Sequence, residues 1–210
     1  MSQELGSIDE AATKKTFASL QSKMLDCQKQ GMQRVEYLSG DVKFFLRIGM
    51  DGRVRWAYLE DSTMGDRDTE KCVLGVLKDA QWPRPEEGEA EVRNGMGFDS
   101  GEARAPSDWP SDRIAGVLAS QADGALKCKG SVKGTFKVTA YIGAGAPPDE
   151  KPRKHGKHPK EHGKEGHVES VGVAPPNKDG EEKIDCIVEA VKEWRMPSPG
   201  SYAAKVSFNL

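Results

Sequence analysis

Cys72-Val73-Leu74-Gly75-Val76-Leu77-Lys78-Asp79-Ala80-Gln81-Trp82-Pro83-Arg84-Pro85 and Cys186-Ile187-Val188-Glu189-Ala190-Val191-Lys192-Glu193-Trp194-Arg195-Met196-Pro197-Ser198-Pro199 decide how the chain is read. In each, ten residues separate a cysteine from a Pro-x-Pro. Aligned on the cysteine, Cys72, Val73, Val76, Leu77, Ala80 and Cys186, Ile187, Ala190, Val191, Trp194 follow one helical face. Proline stops the helix, because it disfavours helical geometry both at its own position and at the residue before it. Period-two apolar segments then predict a strand in each copy: Ala90, Val92, Met96, Phe98 and Ala204, Val206, Phe208, Leu210.

The repeat extends upstream. Val42, Phe44, Leu46, Ile48, then Met50-Asp51-Gly52-Arg53, then Val54, Trp56, Tyr58 read as two strands joined through an Asp-Gly turn. Phe136, Val138, Ala140, Ile142 and Val168, Val171, Val173 read as the matching hairpin with an enlarged tip. A helix precedes each hairpin. The first carries Phe17, Leu20, Met24 and Cys27 on one face, with Ser7 and Glu10 as a capping box. The second carries Ile114, Val117 and Leu118 behind a Ser111 cap and leads to Cys128, with Gly124 and Gly130 leaving its end open.

The expected fold class is therefore α+β: two tandem modules, each helix-strand-strand-helix-strand with a three-stranded antiparallel sheet. The first spans residues 1–99 and the second 111–210, with a polar, Pro-containing connector at 100–110 short enough for the modules to pack together. A length of 210 residues suits two small cores. The formal net charge of −2 carries no polyanion-binding signal. No apolar run approaches the ~18 residues of a membrane span, and the start lacks a signal-peptide pattern. At face value that reads as cytoplasmic; a chain lacking its export signal or anchor reads the same.

The cysteines bear on that choice. Helices layered over small sheets bring Cys27 near Cys72 and Cys128 near Cys186, where each bridge would contribute ~3–4 kcal/mol on a chain-entropy model. The alternative for each cysteine taken alone is a buried thiol. Equivalent placement in both copies favours disulfides and an oxidising compartment such as a bacterial periplasm. The spacings do not suit a zinc site.

The run from Asp41 to Val54, Ser62-Thr63-Met64-Gly65-Asp66 ahead of the second helix, Trp82-Pro83-Arg84-Pro85, and the closing strand through Gly97-Phe98 resemble TonB C-terminal domains. With a cysteine in each helix, the pattern is most similar to the AgmX/PglI C-terminal domain family of myxobacterial envelope and gliding-motility proteins. The second copy shares the resemblance mainly from Cys186 onward. The resemblance implies capture of a partner segment beside the final strand, in a non-enzymatic, periplasmic or outer-membrane-associated interaction protein of a motility or envelope-transport complex. Edge strands carry unpaired N–H and C=O groups that an extended peptide can pair with. The candidate partner-binding positions are Val92, Met96 and Phe98 in Glu89 to Phe98, and Val206, Phe208 and Leu210 in Tyr202 to Leu210; pairing of these two edges with each other is the alternative. A cytoplasmic adaptor of the same fold with reduced cysteines is the competing reading.

The insertion at 147–166 carries six Lys or Arg against four Asp or Glu, and includes His155, His158 and His162, with His167 just beyond. A His-rich tract can bind transition metals, but its glycines and prolines set no ligand geometry, so a solvated hairpin tip is expected and no metal or cofactor. Lys151, Arg153, Lys154, Lys157, Lys160 and Lys164 lack interleaved aromatics, so no nucleic-acid partner is expected. Glycine-rich phosphate loops, nucleophile elbows and His-Glu-x-x-His motifs are missing, so no catalysis is expected. Glu60-Asp61 and Glu86-Glu87 read as solvated turn acids, Trp56 and Trp194 as core-phase, Trp82 as closing a helix and Trp109 as a connector contact.

Overall fold

A computed structural model describes residues 5–145 and 165–210. The insertion, apart from Glu165 and Gly166, and with it His155, His158 and His162, lies outside the described residues.

Helix α1 (Glu10–Gly31) starts two residues later than the expected box places it: Asp9 is the cap and accepts the Ala12 N–H, while Ser7 forms a bridge with Glu86. An aspartate serves the cap as well as a serine, and its charge faces the positive end of the helix dipole. Phe17, Leu20, Met24 and Cys27 form its buried face, as their spacing predicts. Strands β1 (Gly40–Ile48) and β2 (Val54–Ser62) form the first hairpin, where Gly52 takes a φ of 75°. That left-handed conformation is open to glycine at little cost. Helix α2 (Arg67–Lys78) is capped by Asp66, and β3 (Ala90–Phe98) closes an antiparallel sheet in the order β2-β1-β3.

In the hairpin, Ile48 pairs with Val54 but Arg47 pairs with Trp56, so Arg55 is an extra residue. Such a bulge reverses the phase of the strand. Ala57 and Leu59 therefore enter the core, whereas Trp56 and Tyr58 turn to the sheet's other face; the expectation of a core-phase Trp56 is corrected on that ground. Glu60 and Asp61 likewise lie within β2, not in a turn, and pair with Arg93 and Lys137.

The second half departs further. A 3-10 turn (Ser111–Ile114), α3 (Ala115–Gln121) and α4 (Asp123–Lys129) replace the single expected helix, with no side-chain cap on any of them. Strands β5 (Lys137–Ala144) and β6 (Glu165–Ala174) form the long hairpin, α5 (Ile184–Lys192) follows a 3-10 turn (Lys178–Lys183), and β8 (Ala204–Asn209) ends the chain. Two short strands were not anticipated: β4 (Ser107–Trp109) from the connector, and β7 (Arg195–Pro197) from the Pro-x-Pro segment. Among the described residues the sheet thus has five strands, β4-β8-β5-β6-β7, in place of three, with β4 parallel to β8. In β6, Ile142 pairs with Val168 and Tyr141 with Ser170, leaving Glu169 as a bulge; this explains why the inward valines run 168, 171, 173.

Each half has its own core. Phe44, Leu46, Leu77 and Trp82 centre the first; Phe136, Val138, Ile187 and Val206 centre the second. The first also takes in Tyr141, Ala174 and Ala203, so the halves meet through the second sheet's outer face. Both expected disulfides form, Cys27–Cys72 tying α1 to α2 and Cys128–Cys186 tying α4 to α5, with Cα separations of 5.7 and 5.6 Å.

Candidate interaction site at an open sheet edge

Strand β3 pairs with β1 on one side and with no strand on the other among the described residues. Its entrance shows which backbone groups face outward. The Glu89 carbonyl accepts the Gly6 N–H, and Ser7 and Glu86 exchange hydrogen bonds. Alternate residues of a strand point their N–H and C=O to the same side. Glu91, Arg93, Gly95 and Gly97 therefore present their backbones to the open edge. The Gly95 N–H fits this placement, being satisfied at 2.7 Å by the adjacent Asn94 side chain and not by β1.

A groove of about 550 Å³ runs between this edge and the start of α1. Ile8, Phe17, Ala90 and Val92 supply its apolar lining, and Lys14 and Asn94 are among its polar residues. Val92 and Phe98 are buried in the first core and Met96 packs against it, so the strand offers its backbone and these side chains support it from behind. The segment Gly6–Ser7 meets 86–89 in the antiparallel sense, which sets the direction of any strand that continues it.

The second expected edge is corrected over Ala204 to Val206. Strand β8 lies inside its sheet, between β5 and β4, with Val206 and Phe208 buried in the second core and Leu210 packed against it. The Ser107 N–H donates to the Ala203 carbonyl, and pairing runs from Ser107–Ala204 to Trp109–Val206. Pro110, which has no N–H, then turns the chain away. Nor do β3 and β8 pair with each other.

Beside the edge, the outer face of the first sheet carries an aromatic stack that includes Trp56, a residue expected in the core. Phe45 lies 4.8 Å from Trp56 and 5.2 Å from Tyr58, with the Arg93 guanidinium 4.4 Å above Phe45. Lys178 of the second half reaches over Trp56. Phe45 is out of phase with Phe44 in the sequence itself, whereas the bulge at Arg55 that places Trp56 and Tyr58 opposite it leaves no mark in the periodicity. Arg47 beneath them pairs with Glu89 and Glu91.

The seam between the halves holds a buried polar cluster that sequence reasoning missed. Asp66 accepts from Arg34, from the Thr69 N–H and hydroxyl, and from Ser170 across the seam. Burial pushes its pKa up, but these donors outweigh burial and hold it below the usual carboxylate value. Glu70 is fully enclosed and accepts from the Ser62 hydroxyl at 2.6 Å and the Val173 N–H at 3.1 Å. Burial pushes it up to about 7. Arg67 turns to Asp185 and Glu181 of the second half. Lys205 donates to the Ser39 carbonyl across the same seam, and burial pushes it down to about 8.

His167 lies on β6 with Nδ1 2.9 Å from the Gly145 carbonyl. No cluster of three or more potential metal ligands occurs among the described residues. No helix among them is long and apolar enough to cross a membrane. Comparison of the chain with protein-family models, curated proteins and solved structures gave no match.

Proposed function

We propose that this protein is a non-enzymatic interaction module of the cell envelope that captures an extended segment of a partner protein along β3. The open edge of β3 carries the proposal: among the described residues four backbone positions face outward, and two of them, Glu91 and Arg93, line a groove whose entrance is already paired by Gly6 and Ser7. The two disulfides support an oxidising compartment, periplasmic or outer-membrane-associated. The TonB-like resemblance of the residues points the same way. The partner strand runs antiparallel to β3, displaces Asn94 from the Gly95 N–H, and sets alternate apolar side chains against Ile8 and Phe17.

Arg93→Pro tests this, because the Arg93 N–H faces outward and its loss spares the β1 ladder. Extended peptides selected from a display library on the intact protein should bind Arg93→Ala nearly as well as the parent, and Arg93→Pro at least about tenfold more weakly. Equal binding by a folded Arg93→Pro variant, or selection of no peptide, rejects the proposal.

A further inference from the structure

We propose that the Glu70 carboxyl is a proton-operated latch between the two halves, closed when it is neutral and loosened when it is ionised. Glu70 sits in the first turn of α2, and its two hydrogen-bond partners, Ser62 from β2 and the Val173 N–H from β6, are both uncharged. One partner belongs to each half, so the carboxyl bridges the seam. Gly172 makes the approach close enough: a Cβ there would lie 2.2 Å from Glu70 Oε1. Water has no room between them.

The charges around Glu70 are committed elsewhere. On its own helix and cap, Arg67 bonds to Asp185 of α5 and Glu181 of the preceding 3-10 turn, Asp66 is held by Arg34 from the α1–β1 segment, and Lys71 pairs with Asp185. From β6, Ser170 donates to Asp66 and Glu169 accepts from Tyr37. From β5, Thr139 donates to the Ser62 carbonyl and Lys137 pairs with Asp61. Arg67 lies near enough to lower the Glu70 pKa, but its Nε and Nη2 are bonded to the second half and its Nη1, buried without an acceptor, makes no hydrogen bond to Glu70. An ionised Glu70 would therefore be a dry charge with neutral partners, the arrangement that most favours protonation. The neutral acid keeps both contacts: Oε2 accepts from Val173, and the acid proton is donated from Oε1 to Ser62 Oγ, which has a second lone pair for the Met64 N–H.

The direction follows by linkage. In separated halves the carboxyl meets water and takes its ordinary value of 4.5, against about 7 when docked. Between those values the docked state holds a proton that the undocked state has released. Docking is therefore strongest at low pH and weakens as pH rises through about 7.

The test is an NMR titration of the Glu70 carboxyl carbon in the full-length oxidised protein, with the protection factor of the Val173 amide as second readout. The carboxyl should titrate near 7. The protection factor should fall about twentyfold from about pH 5.5 to about 7.5 in the parent, and by less than about twofold in Glu70→Gln. A carboxyl midpoint below about 5, or a Glu70→Gln protein that keeps the parent's fall, overturns the latch. If Glu70→Gln does not fold, the titration of the parent decides alone.

Discussion

Strands β3 and β8 occupy equivalent places in the two copies of the repeat and meet opposite fates. β3 lies at the rim of its sheet with Glu91, Arg93, Gly95 and Gly97 facing outward, whereas β8 is covered from Ala204 to Val206 by a strand made from the connector. The closing strands share an apolar alternation, which fixes what lies behind each strand. It carries no information about what lies beside it. That is decided by other segments: Gly6–Ser7 reaches only the entrance of β3, while Ser107–Trp109 runs along β8.

The comparison can be broken most forcefully at what the halves share. Removing either disulfide, with Cys27→Ser and Cys72→Ser or with Cys128→Ser and Cys186→Ser, should cost ~3–4 kcal/mol in urea unfolding. Sequence separations of 45 and 58 are close enough that the two losses should agree within about half a kcal/mol. A larger gap would show that the halves do not unfold as equivalents.

Ser107→Pro addresses the difference directly. It removes the donor to Ala203 at an exposed position and should cost about 1–2 kcal/mol. Exchange of the Lys205 amide, which by alternation faces β4, should accelerate while the β3 amides stay unchanged. A protein that unfolds earlier with no local acceleration would show β4 to be a passive contact.

Lys205, at the foot of β8 on the seam, adds an effect read as a pH dependence and not as a lost contact. Burial lowers its pKa to about 8 from 10.5, so below about 8 the native state carries a charge that it disfavours. The unfolded chain binds more protons between those values, so stability should rise with pH across that interval. In Lys205→Met the rise should vanish from the urea midpoints measured between pH 8 and 10.5.

What the sequence shows and what it hides follow from the range of the interactions concerned. The α1 face, the Asp-Gly hairpin, the cysteine pairing and the Pro-ended α2 were legible because each is set by periodicity or local turn chemistry. Trp56 was misplaced because a single bulge at Arg55 reversed the strand's phase, and periodicity contains no term for an inserted residue. The helix after Ser111 was read as continuous, yet it breaks near Ala122. Of the candidate site, both closing strands were legible and the asymmetry between them was not, since β4 is only three connector residues, of which Trp109 alone has strand character. Glu70 escaped notice for a related reason: a glutamate in the first turn of a helix looks like ordinary dipole compensation until Gly172, 102 positions later, closes over it.

The connector strand also determines where this gene can be divided. Ser107–Trp109 belongs to the sheet of the second half. A cut within residues 100–106 leaves each piece with all of its strands. A cut after Pro110 hands β4 to the wrong piece and leaves a raw edge on the remainder. A rearrangement that cuts after Pro110 would leave Ala204 to Val206 of β8 as an open edge able to pair with another chain.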